Sequence, residues 1–145
     1  MIGYLDTSAF VPLLVREPGS AACGRFWDDA DALVTSRLTY VETAAALAQA
    51  ERVGRLTAVS HAACRHHLDR LWSEIGVADV DDRVVSRAAE LAREFGLRGY
   101  DAVHCASAEQ VADDDLVAAT GDRALLSAWS SLGVSTFDPN APSAV

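Results

Sequence analysis

The sequence contains no lysine, because all twelve of its basic residues are arginine. It therefore cannot form a phosphate-binding loop of the Gly-Lys-Ser/Thr kind. With 21 acidic residues the formal net charge is −9, which argues against a protein that binds nucleic acid through bulk positive charge. This balance still allows an enzyme whose carboxylates hold a cation that in turn contacts phosphate.

Cysteine is scarce and the apolar runs are short. The three cysteines, Cys23, Cys64 and Cys105, have no paired spacing, which predicts small buried thiols in a reducing compartment. No apolar run approaches the length needed to cross a bilayer. The first residues lack the charged region and cleavage site of a signal peptide. We therefore expect a cytoplasmic protein with no membrane partner.

The 145 residues alternate between strand-like and helical patterns, which is typical of an α/β fold with a mainly parallel sheet of four to five strands. We expect one domain over residues 1–138 and a frayed C-terminal tail at 139–145. Short apolar runs predict the strands, at Ile2–Leu5, Ala32–Thr35, Val77–Val80, Leu116–Ala119 and Val134–Phe137.

Two of the predicted helices have clear apolar stripes at helical spacing. In the long helix that ends near Arg52, the predicted stripe is Leu38, Val41, Ala45 and Ala48. In the helix that follows Asp81 and Asp82, it is Val84, Ala88, Leu91 and Phe95. The position of Glu42, next to Val41, places its carboxylate at the margin of the first stripe.

Acidic residues follow two of the predicted strands. Asp6 comes directly after the first strand, and Asp122 follows Thr120 and Gly121 at the end of the fourth. Ligands of open parallel sheets bind at the carboxyl ends of the strands, so both acids are placed for chemistry. Asp101 lies in the first turn of a helix. Taken singly, each acid, like Glu42, has an ordinary role as a helix cap or a solvated side chain.

As a set, these acids predict a cation site. Two carboxylates about 4 Å apart repel by roughly 4 kcal/mol at an effective dielectric near 20, so a cluster must share protons or hold a cation. Oxygen-only ligands favour Mg²⁺ or Mn²⁺ over zinc. Such an ion can polarise a phosphoryl oxygen and activate water, which points to a phosphodiester substrate.

Four segments resemble, in order, the successive motifs of PIN-domain ribonucleases. They are Leu5–Ala9, Ser36–Glu42, Tyr100–Ala108 and Thr120–Leu125. The small single-domain form is similar to the VapC-type toxins of bacterial toxin–antitoxin pairs. The resemblance covers nearly the whole chain and implies a three-layer α/β/α sandwich with a parallel sheet.

The resemblance also implies a role for each matching residue. Asp6, Glu42, Asp101 and Asp122 would line a catalytic pocket, with Asp6 and Asp101 as direct metal ligands. Glu42 and Asp122 would act directly or through water. The supporting hydroxyls would be those of Thr7 or Ser8, and of Thr120.

The implied activity is that of an endoribonuclease dependent on Mg²⁺, with Mn²⁺ as the alternative ion. The implied partners are an RNA substrate, a second copy of the chain in a homodimer, and a VapB-type antitoxin. The antitoxin would block the pocket and would form a heterotetramer or a larger complex with the toxin.

The sequence leaves alternatives open for some residue roles and for the function. Arg52 and Arg55 are either ordinary helix surface or candidate RNA contacts. His104 is either a core residue or a partner of the site acids. A non-catalytic RNA- or protein-binding PIN module is one alternative function. A metal-dependent phosphatase is another, although that chemistry wants a second Asp where Ser8 stands.

Overall fold

The structure is a computed structural model that describes residues 1–142, and these form five strands and seven α-helices. The strands are β1 (Ile2–Leu5), β2 (Ala32–Ser36), β3 (Gly76–Ala78), β4 (Leu116–Ala119) and β5 (Ser135–Phe137). The helices are α1 (Thr7–Phe10), α2 (Ser20–Asp29), α3 (Leu38–Arg52), α4 (Ala58–Trp72), α5 (Asp82–Phe95), α6 (Gly99–Val111) and α7 (Arg123–Ser131). A short 3₁₀ turn at Val11–Leu13 extends α1.

The five strands form one parallel sheet in the order β3-β2-β1-β4-β5. Strand β1 is central, and its last residue, Leu5, is in register with Thr35 of β2 and Ala119 of β4. The chain builds the sheet outward from β1 to β3, then returns to the other side of β1. This reversal creates a switch point between β1 and β4, the usual ligand crevice of such sheets. The expected α/β fold is confirmed.

Helices cover both faces of the sheet. Consecutive strand residues point to opposite faces, so Tyr4 and Leu5 enter different cores, and both are fully buried. Tyr4 packs with residues of α5, α6 and α7, whereas Leu5 packs with residues of α1, α2 and α4. The result is the three-layer α/β/α sandwich that the resemblance implied.

The apolar stripe predicted for α5 is confirmed. Val84, Ala88 and Leu91 are buried, and Phe95 packs against the same core while partly exposed. Asp81 caps this helix by accepting a hydrogen bond from the Val84 amide at 3.0 Å. This helix therefore follows the ordinary amphipathic rule.

The stripe predicted for α3 is wrong. Val41 is 59% exposed, and the buried face instead contains Thr39, Thr43, Leu47 and Ala50. The Thr39 hydroxyl lies 2.8 Å from that of Thr35, which donates to the Leu5 carbonyl at 2.6 Å. Because such tertiary partners satisfy a hydroxyl, a polar residue occupies a core position. The apolar Val41 is left at the surface.

The cysteines are free, with Cys23 and Cys105 buried and Cys64 partly buried. Within residues 1–142, no helix is long and apolar enough to cross a membrane. Beyond β5, Pro139 is buried, and the Asn140 amide reaches toward Gly121. Residues 143–145 of the expected frayed tail lie outside the described residues, and the domain boundary at 138 stays a prediction.

Candidate active site

A pocket of about 430 Å³ opens at the carboxyl edge of the sheet, beside the switch point. All four acids singled out in the sequence line it: Asp6, Glu42, Asp101 and Asp122. They come from the end of β1, from α3, from the first turn of α6 and from the N-cap of α7. Their convergence is therefore a feature of the fold, while their individual roles stay predictions.

Asp6 is the most buried of the four acids, at 3% exposure. Its Oδ1 accepts hydrogen bonds from the Ala9 amide at 3.0 Å and the Ser8 hydroxyl at 2.8 Å. Its Oδ2 accepts one from the Thr120 hydroxyl at 2.6 Å. Burial raises its pKa, and the hydrogen bonds from Thr120, Ser8 and the Ala9 amide offset that rise only in part. The carboxylate thus has a fixed orientation and would gain from a nearby cation.

The hydroxyls of Ser8 and Thr120 join Asp6 to the loop that leads into α7. Thr120 Oγ1 accepts from the Asp122 amide at 3.0 Å, and Ser8 Oγ accepts from the Gly121 amide at 2.9 Å. The two hydroxyl oxygens lie 3.2 Å apart. Of the three residues named as supporting hydroxyls, Thr7 and Ser8 line the pocket, and Thr120 is fully buried behind Asp6. The bonds of Ser8 and Thr120 join the end of β1 to the loop that follows β4.

Glu42 is held by a second buried network. Its Oε1 accepts from the Thr7 hydroxyl at 2.6 Å and lies 2.7 Å from His104 Nε2. His104 is 2% exposed, and its Nδ1 lies 2.9 Å from the Tyr4 hydroxyl. Burial alone raises the pKa of Glu42, but the hydrogen bonds from His104 and Thr7 outweigh it and lower the pKa. Glu42 is therefore ionised at neutral pH.

The hydrogen-bond chain from Tyr4 indicates the proton positions on His104. Burial raises the pKa of the Tyr4 phenol well above its ordinary value, so the hydroxyl keeps its proton and donates to Nδ1. A neutral imidazole then carries its own proton on Nε2, and we assign that proton to the bond with Glu42. His104 thus links the buried core to the pocket.

Asp101 and Asp122 share a guanidinium group on the opposite wall. Asp101 Oδ2 accepts from Arg98 Nε at 3.1 Å, and Arg98 Nη2 lies 3.9 Å from Asp122 Oδ2. Burial raises the pKa of Asp101, the hydrogen bond from Arg98 lowers it, and the charge of Asp122 raises it further. The other oxygen of Asp122 caps α7 by accepting from the Leu125 amide at 2.9 Å.

The donor set fits a hard divalent cation. Within residues 1–142, no three His, Cys, Asp or Glu side chains lie close enough to enclose an ion as they stand. The pocket acids are nevertheless oxygen donors of the kind that Mg²⁺ prefers. Burial raises the pKa of both Asp6 and Asp101, so both carboxylates would be stabilised by added positive charge. Arg98 already places one positive charge between Asp101 and Asp122.

The two arginines named as candidate RNA contacts lie outside this pocket. Arg52 donates to Gln49 on the exposed surface of α3, at 3.2 and 3.1 Å. Arg55 lies 3.8 Å from Glu17, and Glu17 lines the pocket. Arg55 is therefore one side chain away from the rim, and a role of either arginine in RNA contact stays a prediction.

Three polar residues of the pocket were given no site role from the sequence, namely Arg98, Glu17 and Asn140, and Tyr100 was named only as the first residue of a motif. Arg98 had a usable signal, because it precedes Asp101 by three residues and such pairs meet on a helix surface. Asn140 had none, since the segment that contains it was expected to fray.

This chain is similar to known proteins over most of its length. Residues 3–128 match the family described as PIN domain. The chain is 43% identical over 122 residues to Ribonuclease VapC45 of Mycobacterium tuberculosis, an alignment that covers 84% of this chain and 85% of the relative.

Solved structures share the fold. The crystal structure of PAE2754 from Pyrobaculum aerophilum superposes with a TM-score of 0.70 at 27% identity, covering 94% of this chain and 83% of that one. A toxin–antitoxin complex from Klebsiella pneumoniae contains a chain with a TM-score of 0.65 at 14% identity, covering 94% of this chain and 97% of that one. The overall fold is thus one that solved structures share.

Proposed function

The chain belongs to the PIN-domain family, and we propose that it is a metal-dependent endoribonuclease that hydrolyses RNA phosphodiester bonds as the toxin of a toxin–antitoxin pair. The observation that carries the proposal is the convergence of four carboxylates, from four separate elements, in one pocket at the switch point of the sheet. The ribonuclease name of a relative 43% identical supports RNA as the substrate. The proposed ion is Mg²⁺ or Mn²⁺.

In this proposal Asp6 and Asp101 hold the ion, and Asp122 completes its surroundings directly or through water. A bound divalent ion supplies a Lewis acid for the scissile phosphate and lowers the pKa of the attacking water. The protein presets Asp6 for this task through the Ser8, Ala9 and Thr120 donors. These neutral donors fix the carboxylate while leaving its negative charge in place.

Glu42 orients the attacking water and accepts its proton. Thr7 and His104 both bind Oε1 of Glu42, and none of the described donors binds Oε2. The free oxygen therefore accepts the water proton while the bound oxygen keeps the side chain in place. The lowered pKa of Glu42 keeps it in the ionised form that this role requires.

The proposed protein partner is a VapB-type antitoxin. One chain of a toxin–antitoxin complex shares this fold over 97% of its length, which supports the proposal at the level of the fold. We also propose that the chain forms a homodimer, and that toxin and antitoxin assemble into a heterotetramer or a larger complex.

Cleavage of total cellular RNA by the antitoxin-free chain tests the proposed activity. The reaction is run with Mg²⁺ and with chelator, and the new RNA ends are mapped by sequencing. Asp101→Asn, purified identically, controls for contaminating nucleases. We expect discrete ends that require both the metal and Asp101.

The contrary result is a folded protein that produces no ends beyond those of the Asp101→Asn control. Binding of intact RNA that survives chelation would then favour a non-catalytic binding module. Release of phosphate from small phosphomonoesters would instead favour a phosphatase.

A further inference from the structure

The charges of the pocket conflict with the charge of its proposed substrate. Its wall contains five carboxylates, those of Asp6, Glu17, Glu42, Asp101 and Asp122. Arg98 is the one arginine among the described residues that line the pocket. An RNA phosphate entering this space therefore meets mainly negative charge, and one bound divalent ion offsets only part of it.

Arg98 is placed between the acids and the solvent. Its side chain is 67% exposed, and it reaches Asp101 at 3.1 Å and Asp122 at 3.9 Å. Exposed ion pairs of this kind are weak, and the long arginine side chain has many accessible rotamers. The Arg98 guanidinium is therefore held where it is by contacts that are easily exchanged.

Tyr100 provides a further contact for the same group. The guanidinium carbon of Arg98 lies 4.9 Å from the centroid of the Tyr100 ring, within the range of a cation–π contact. Tyr100 is 44% exposed and also lines the pocket. The contact with its ring does not involve the carboxylates, so it does not depend on the ion pairs.

We propose that Arg98 exchanges partners during the reaction cycle. In the metal-free pocket it neutralises Asp101 and Asp122, and when a divalent cation takes those carboxylates it is released to contact an RNA phosphate from its place on Tyr100. The inference rests on the proposed function for its second half. Its first half is the competition between Arg98 and the cation, which does not depend on RNA or on catalysis.

The exchange follows from the identity of the shared ligands. The guanidinium binds Asp101 Oδ2, and the proposed cation would use the same carboxylate. A carboxylate that holds an ion attracts a second cation much less. The released guanidinium has five donors in a fork that matches phosphate geometry. Arg98 thus supplies the positive charge that the acidic wall lacks, at the step when phosphate enters.

Metal binding to the full chain tests the first half without any RNA. Mn²⁺ affinity is measured by calorimetry for the wild type, for Arg98→Gln and for Arg123→Gln. Arg123 is an exposed arginine next to Asp122 at the start of α7, outside the pocket wall, so its variant is a control for general charge. Two unit charges about 4 Å apart interact by about 1 kcal/mol in water. Because Mn²⁺ no longer has to displace the Arg98 charge from the carboxylates, Arg98→Gln should bind Mn²⁺ roughly fivefold more tightly.

An unchanged Mn²⁺ affinity in Arg98→Gln overturns the competition, as does an equal gain in Arg123→Gln. A second readout is the ¹H–¹⁵N signal of Arg98 Nε, assigned by its loss from Arg98→Gln. It should shift when Mg²⁺ is added to the wild type, because the hydrogen bond to Asp101 is broken. A signal that stays in place as Mg²⁺ saturates the pocket contradicts the exchange.

The second half is tested by steady-state cleavage of an oligoribonucleotide that contains a mapped site, at saturating Mg²⁺. Arg98→Gln should raise KM about tenfold with a smaller change in kcat, since a lost phosphate contact weakens binding. Arg98→Lys should lie between it and the wild type. An unchanged KM in Arg98→Gln overturns the phosphate contact. If the wild type does not cleave RNA while the Mn²⁺ affinities still differ as expected, the proposed function fails and the competition stands.

Discussion

The two walls of the pocket hold their carboxylates by different means. On the inner wall, Asp6 is nearly inaccessible and is bound by neutral donors, the Ser8 and Thr120 hydroxyls and one backbone amide. On the outer wall, Asp101 is less buried and shares an exposed cation, Arg98, with Asp122.

The inner wall therefore fixes the orientation of its carboxylate, whereas the outer wall also neutralises the charge of its carboxylates. Neutral donors fix the direction of a carboxylate without cancelling its negative charge, so the inner wall remains attractive to a cation. A guanidinium cancels charge, which stabilises two neighbouring acids but competes with any incoming ion. The inner wall is therefore a permanent binding surface, whereas the outer wall changes its partner.

The largest expected effect comes from removing charge on the inner wall. Asp6→Asn should reduce RNA cleavage to background, a loss of more than about 10³-fold, because no other acid is held in that position. The fold should survive, since Asn keeps an oxygen that can accept from the Ala9 amide and cap α1. Cleavage and circular dichroism are measured together, with Asp114→Asn in an exposed turn as the control.

Wild-type cleavage in a folded Asp6→Asn sample would defeat the assignment of Asp6 as a metal ligand. It would also remove the distinction between the two walls, because the inner carboxylate would then be structural only.

A smaller loss is expected when the support behind Glu42 is removed. His104→Gln keeps a polar side chain but changes the distance to Glu42 Oε1 and the bond to Tyr4, so cleavage should fall about 10- to 100-fold. His66→Gln, at an exposed position on α4, is the matched control. Equal activity of the two variants would show that Thr7 alone is sufficient to position Glu42.

The helices around the pocket show how far the sequence predicts the structure. The stripe of α5 was predicted correctly because that helix only packs against the core, so apolar residues mark its inner face. The stripe of α3 was predicted wrongly because that helix also carries Glu42 into the pocket. Its inner face includes Thr39, whose hydroxyl has its partner, Thr35, on β2, and no local pattern reveals such a partner.

The candidate site likewise contains residues that the sequence predicts and contacts that it does not predict. Glu42 lies inside α3 beside the wrongly predicted stripe, so its clearer signal was its place in the family motif. The other three acids were predictable because each follows a strand or opens a helix, positions that the sheet topology brings to one edge. The network from Tyr4 through His104 to Glu42 was not, since it joins residues that are 100 and 62 positions apart. Such contacts depend on where the tertiary fold places α6 relative to Tyr4 and Glu42, which the sequence does not specify locally.

The stability of the inner wall depends on the Thr120 hydroxyl. Thr120→Val is nearly isosteric, but it leaves Asp6 Oδ2 and the Asp122 amide without their partner. We expect the free energy of unfolding to fall by about 1–3 kcal/mol, measured by urea denaturation. Thr120→Ser restores the hydroxyl and should recover most of the loss. If the Val and Ser variants are equally stable, the hydroxyl does not support Asp6.

The smallest expected effect is on the pH dependence of the free energy of unfolding, measured in the presence of a chelator. Burial raises the pKa of Asp6 above its unfolded value, so the folded state binds more protons between the two pKa values. The free energy of unfolding of the wild type should therefore fall as the pH rises through that window. Asp6→Asn removes this contribution, so its stability relative to the wild type should increase from pH 4 upward and then level off.

The same measurement on Asp101→Asn sharpens the comparison between the walls. The pKa of Asp101 is also raised by burial, but Arg98 stabilises its ionised form through a hydrogen bond. Replacing Asp101 therefore removes a favourable ion pair together with the cost of burying a charge. We expect a smaller gain with pH than for Asp6→Asn, and Arg98→Gln should increase the pH dependence that Asp101 contributes. Equal pH profiles for Asp6→Asn and Asp101→Asn would mean that neutral donors and a guanidinium support a buried carboxylate equally well in this pocket.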